Sequence, residues 1–93
     1  MKVRLDPTHA APALRSTPSS AKRRLKEALR RLGQDPSGRS TGLDVKRLDT
    51  EPGQAMYRLR VGDWRIAFTV DKEVVVLRVF HRSDGYGWIA DME

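Results

Sequence analysis

Tyr57-Arg58-Leu59-Arg60-Val61-Gly62-Asp63-Trp64-Arg65-Ile66-Ala67-Phe68 decides the fold of this 93-residue chain. Its first five residues alternate apolar and basic, the period of a strand with one buried face. Gly62-Asp63 follows as a two-residue turn, because glycine readily takes the positive φ that tight hairpins need. Setting Val61 opposite Trp64 then puts Leu59 against Ile66 and Tyr57 against Phe68. The same register sets Arg60 directly across from Arg65, with Arg58 beside them.

The run Val74-Val75-Val76-Leu77-Arg78-Val79 supplies a third strand. A two-residue turn at Asp71-Lys72 would pair Phe68 with Val75, Ile66 with Leu77 and Arg65 with Arg78. A three-residue turn would drive Arg78 onto the apolar face, against the cost of burying a charge. Arg58, Arg60, Arg65 and Arg78 are therefore expected on one face. Like charges opposite each other on a sheet repel, by about 1 kcal/mol at ~5 Å in water and roughly 3 at an effective dielectric of 20. Such a row is tolerated if an anion occupies it. The plainer alternatives are that the side chains fan into solvent, or that an acid such as Glu51 or Asp84 neutralises them.

Outside this hairpin, charge is uneven. The chain carries a net +6, a balance that suits polyanionic partners. Residues 1–31 hold nine Lys or Arg against Asp6 and Glu27, whereas residues 57–93 hold six basic and six acidic residues. The arginine row is thus a local arrangement within a neutral segment. With no cysteine there is no disulfide or thiolate chemistry, which fits a reducing compartment. Neither a signal-peptide core nor a run of membrane-spanning length is legible, so a cytoplasmic location is expected, with no membrane partner.

Lys2 to Leu5 alternates and reads as a short strand. Asp6-Pro7 opens a short helix through Thr8–Arg15, limited by Pro12. Thr17-Pro18 opens the strongest helix, with Ala21, Leu25, Ala28, Leu29 and Leu32 on one stripe and Gly33 as its stop. Lys22, Arg23, Lys26 and Arg30 lie on the opposite face, as a solvated surface or a phosphate-docking one. Gln34–Gly42 is a loop. Leu43, Val45 and Leu48 mark a short extended piece or helical turn, and Glu51-Pro52-Gly53 another turn. One domain, residues 1–93, is expected. Its class is α+β: an N-terminal strand and a two-helix hairpin, packed on one face of a twisted antiparallel sheet of three or four further strands. The covered face would bear Tyr57, Leu59, Trp64, Ile66, Phe68, Val75 and Leu77, leaving the arginine face open as the wall or floor of a cleft.

The string from Tyr57 to Ile66, followed by a Val-rich strand, His81-Arg82 and Tyr86, resembles the RelE branch of the RelE/ParE toxin superfamily. The resemblance covers most of the chain. It implies the toxin of a type II toxin–antitoxin pair, working without a metal or other cofactor. RelE-like members cut messenger RNA in the ribosomal A site, the 2′-hydroxyl attacking the adjacent phosphate. The implied partners are an antitoxin from a neighbouring gene, the ribosome and its message, and operator DNA through the antitoxin.

By position, the resemblance makes Arg58 and Arg60 basic strand residues lining the active site. It makes Arg65 the phosphate-binding arginine, with Arg82 and Tyr86 as the basic and aromatic residues near the carboxyl end. Guanidinium forks suit the charge that builds on nonbridging oxygens, and a tyrosine can stack on a base or give a proton to the leaving oxygen. Some relatives carry lysine where Arg58 and Arg60 stand, and arginine does not give up its proton, which leaves the general base open. His81 has the pKa range for it, yet strand parity sets it with Val79 and Leu77, as a core or strand-end histidine would be. Asp84 is a further candidate. Tyr86 is either the site aromatic or a surface ring against Trp88. Trp88, Ile89 and Met92 read as a core cap or antitoxin contact, Trp64 as core, and His9 as no metal ligand. The rival readings are a ParE-like toxin that blocks DNA gyrase without cutting RNA, and a degenerate, non-toxic family member.

Overall fold

The computed structural model describes residues 1–48, 55–85 and 87. In chain order these form β1 (Val3–Leu5), α1 (Ala10–Ser16), α2 (Ser19–Gln34), β2 (Asp44–Leu48), β3 (Met56–Val61), β4 (Trp64–Val70) and β5 (Val74–His81), then a 3-10 turn, Arg82–Asp84. The five strands make one sheet in the order β1-β5-β4-β3-β2. All neighbours are antiparallel except β1, which runs parallel to β5. The expected α+β architecture holds, with both helices on one face. Among the described residues no helix is long and apolar enough to cross a membrane.

The β3–β4 hairpin has the register the alternation dictates: Tyr57 opposite Phe68, Leu59 opposite Ile66, Arg60 opposite Arg65, Val61 opposite Trp64. Gly62 sits in its turn at φ 59°, the left-handed region open to glycine. The Tyr57 and Phe68 rings stack with centroids 5.6 Å apart.

The β4–β5 connection differs from the expectation. It spans three residues, Asp71 to Glu73, and pairs Val70 with Val74 and Phe68 with Val76. A bulge then falls between Ala67 and Phe68, so that Leu77 is the extra residue and Ala67 faces Arg78. The longer turn sends Val74 and Val76 into the core in place of Val75 and Leu77. The bulge restores parity, and Arg78 stays off the helix-covered face by a device other than the one expected.

The main core gathers Leu25, Leu29 and Leu32 of α2 against Leu59, Ile66, Phe68, Val74, Val76 and Val79. Burying a side chain of this kind contributes roughly 1.5–3 kcal/mol. α1 adds Ala10 and Leu14. Its Pro12 is the third helical residue, where a missing N–H costs little. Asp6 accepts a hydrogen bond from the His9 N–H (2.8 Å), tying the turn that enters α1. Thr17 caps the end of α1, its hydroxyl donating to the Ala13 carbonyl (2.8 Å).

Gly33 does not stop α2, which continues through Gln34. It is there for close approach: a Cβ at this position would lie 2.9 Å from the Met1 carbonyl oxygen and 3.1 Å from Val3 Cγ2. The chain leaves the helix through a knot of hydrogen bonds on Asp35, which accepts from the N–H and hydroxyl of both Ser37 and Ser40. These bonds hold the Asp35 carboxyl well below the usual carboxylate range.

Candidate functional site

Alternation along β2 and β3 and the β3–β4–β5 pairings bring Asp44, Arg58, Arg60, Arg65 and Arg78 to the sheet face turned away from the helices. Lys46, Arg58, Ala67 and Arg78 form one cross-strand row. Asp44, Arg60, Arg65 and Phe80 form the next. This face is not a bare cationic wall. Met56, Ala67 and Phe80 are buried on it and pack with Leu48 and Leu77 as a second, smaller apolar cluster. The arginine stems therefore rise from an apolar floor, and the Arg58 side chain is only 12% exposed.

Asp44, which the sequence reading passed over, sits between two of the guanidinium groups. Its Oδ2 is 2.7 Å from Arg60 and its Oδ1 3.7 Å from Arg58. Among the described residues the neutralising acid is Asp44 and not Asp84; Glu51, the other acid considered, lies outside the described residues. The Asp84 carboxylate instead accepts from the His81 N–H (3.3 Å), within the 3-10 turn. Among the described residues this one carboxylate serves Arg58 and Arg60, and Arg65 across from Arg60 adds a further positive charge.

Arg65 folds back over the hairpin turn, donating to the Gly62 carbonyl (2.8 Å) and the Trp64 carbonyl (3.0 Å). Arg78 donates to the Leu77 carbonyl (3.1 Å). Arg82 is drawn to the same hairpin end. Its N–H donates to the Asp63 carbonyl (2.8 Å), and its guanidinium lies 3.4 Å from the Asp63 carboxylate. Tyr86, Trp88, Ile89 and Met92 lie outside the described residues.

His81 belongs to the helix side of the sheet, where its ring meets Trp64 edge-on at 5.3 Å. Its Nδ1 accepts from the Ser83 N–H (3.2 Å) and lies 2.8 Å from the Ser83 hydroxyl. A neutral ring so bonded carries its proton on Nε2, which makes His81 a cap for the 3-10 turn as it stands here.

The α2 cations do not join the arginine face, because α2 packs on the other side of the sheet. They also split between two edges. Lys26 and Arg30 border a cavity of about 590 Å³ beside β1, with Val3, Leu5, Leu14 and Leu29. Arg30 is bound to Glu27 (2.5 Å), a pairing that lowers the glutamate's pKa and raises the arginine's. Lys22 is half-buried. Arg23 borders a second groove with Arg24 and Arg31, two residues that sequence reasoning missed. Their seven-residue spacing across Ala28 was the available signal, since residues seven apart share a helix face.

Compared with known proteins, the chain matches the family model of the ParE toxin of type II toxin–antitoxin systems, parDE, over residues 8–86. Among curated proteins nothing matches. Among solved structures it is similar to the archaeal RelE–RelB complex of Pyrococcus horikoshii OT3, with 28% identity, 87% of this chain and 93% of that chain covered, and a TM-score of 0.70. The toxin–antitoxin complex RelBE2 of Mycobacterium tuberculosis follows at 27% identity, 87% and 96% coverage and a TM-score of 0.71. The RelB–RelE complex of Methanococcus jannaschii, at 24% identity, 91% and 96% coverage and a TM-score of 0.69, shares the fold.

Proposed function

We infer the activity of this chain from a plain premise: it belongs to the ParE toxin family of type II toxin–antitoxin systems, within the RelE/ParE superfamily. We propose that it is a ribosome-dependent endoribonuclease that cuts messenger RNA and so arrests translation in the cytoplasm. The observation that carries this reading is the open sheet face, where Arg58 and Arg60 share the Asp44 carboxylate and Arg65, directly across from Arg60, bonds to backbone carbonyls. An anion's charge is the natural complement of that imbalance.

In the proposed reaction the 2′-oxygen bonds to the adjacent phosphorus and the bond to the 5′-oxygen breaks. The 2′-hydroxyl gives up a proton and the leaving oxygen takes one. Arg65, with Arg58 and Arg60, would hold the nonbridging oxygens as charge builds on them. Arg82, at the hairpin end beside Arg65, would extend the cradle along the backbone. Tyr86 would stack on a base or protonate the leaving oxygen. Arginine stays protonated, and His81 Nδ1 is engaged with Ser83. The chain's contribution is therefore charge stabilisation and alignment, with the ribosome holding the message in line. A neighbouring-gene antitoxin would neutralise it, in keeping with the toxin–antitoxin complexes it resembles.

The second reading, gyrase inhibition without RNA cleavage, draws on the ParE name of the matching family. Induction followed by primer extension on an abundant message separates the two. The nuclease reading expects cuts within translated codons, lost in Arg65→Glu. Intact messages with inhibited DNA supercoiling would refute it.

A further inference from the structure

A groove of about 530 Å³ runs between α2 and the sheet edge where β2 begins, bordered by Arg23, Arg24, Arg31, Asp44, Arg60 and Gly62. Arg24 and Arg31 stand on one stripe of α2, two turns apart, with Ala28 between them as a small floor. Each has a defined seat. The Arg24 guanidinium lies over Gly62, close enough that a Cβ there would sit 3.1 Å from both terminal nitrogens. Arg31 donates to the Thr41 carbonyl (2.6 Å) and is held against the loop that precedes β2. The two acids on this groove are already engaged, Glu27 with Arg30 and Asp44 with Arg60 and Arg58. Arg23, Arg24 and Arg31 have no carboxylate within ion-pair distance among the described residues.

We propose that this groove is a second phosphate-binding track for single-stranded RNA, joined to the arginine face through Arg60, which borders both. The proposal rests on the nuclease reading only for the choice of polyanion. Charge and continuity argue for a nucleic-acid backbone. An acidic helix from a protein would also need large apolar anchors, and Ala28, Leu43 and Val61 are the apolar residues on the groove. A backbone carrying regular phosphates needs only cations in sequence, which Arg31, Arg24, Arg60 and Arg58 provide.

The test is binding of a short labelled single-stranded RNA by fluorescence anisotropy across a salt series. Each phosphate contact on a single strand contributes about 0.7 to the slope of log K against log salt. The double variant Arg24→Ala/Arg31→Ala should therefore lose about 1.4 from that slope and weaken binding on the order of 20-fold at 0.1 M salt. Arg24→Lys/Arg31→Lys keeps the charges and should keep most of the slope, even where alanine loosens the loop. An unchanged slope in the alanine variant overturns the proposal, as does equal loss in the lysine variant. Loss of polyglutamate binding without loss of RNA binding also overturns it, in favour of a protein partner. A parallel cleavage assay on translating ribosomes keeps the two readings apart. Wild-type protein that binds as expected but never cuts would sink the nuclease reading alone.

Discussion

Replacing Asp44 with Asn tests whether the arginine face is held together by charge. The side chain keeps its shape and an oxygen that can accept a hydrogen bond, so the variant removes little except the negative charge. Asp44 is 43% exposed and Arg60 55%, and an exposed pair is worth about 0.2–1 kcal/mol. Arg58 is far less exposed at 12%, and its 3.7 Å approach to the same carboxylate adds to the effect. With the carboxylate gone, the Arg60–Arg65 repulsion across the hairpin is no longer offset. Together these should destabilise the fold by about 1–2 kcal/mol, or lower Tm by roughly 5–10 °C in a domain of this size. Thermal unfolding followed by circular dichroism would measure it at low salt and at 1 M. At 1 M the screening length is about 3 Å, and most of the loss should vanish. Excess polyphosphate at low salt should restore Tm, because a bound anion would replace the missing carboxylate. An unchanged Tm at low salt, or an equal drop at both salt concentrations, would refute the electrostatic account.

Other expectations follow from single features. Arg65→Glu should abolish growth arrest on induction while leaving the far-ultraviolet spectrum intact; a toxic variant would remove Arg65 from the site. The Asp35 knot should make the 35–42 loop acid-labile. A carboxyl with a depressed folded pKa stabilises fully above its unfolded value near 4, and that contribution is lost as pH falls through the lower folded value. Protection of the Ser37 and Ser40 amides, measured against their intrinsic exchange rates, should therefore hold at neutral pH and fall away well below pH 4, and no protection at pH 7 would contradict the reading. Gly33→Ala should destabilise by about 1–2 kcal/mol, because the clash with Met1 and Val3 outweighs the roughly 1 kcal/mol gain in helix propensity. A rise in Tm would show that β1 yields easily.

The β3–β4 hairpin was legible to the residue because two independent signals agree there, strict alternation and a glycine-containing turn of defined length. The β4–β5 pairing was not, because Val74-Val75-Val76-Leu77 is apolar throughout and any register buries a valine. Burial cost did assign Arg78 its face, since that argument depends on the residue and not on the route. Asp44 was missed because its neighbours Gly42 and Leu43 blur where the strand begins, and because an acid matters only once its cross-strand partners are known. Arg24 and Arg31 were absorbed into a generally basic helix, whose two flanks differ only through the sheet edges they border. Gly33 read as a stop because close approach to a distant strand leaves no local trace.

The three-residue turn at 71–73 and the extra residue at Leu77 are a matched pair of odd insertions. Either alone would invert every later side chain of β5, trading valine for arginine against the helices. Together they cancel. Natural length variation here should therefore come in twos: a shortened turn is tolerated only where the strand also loses its kink. Swapping this loop alone between relatives should ruin folding, because Val74 directly after it is a core residue.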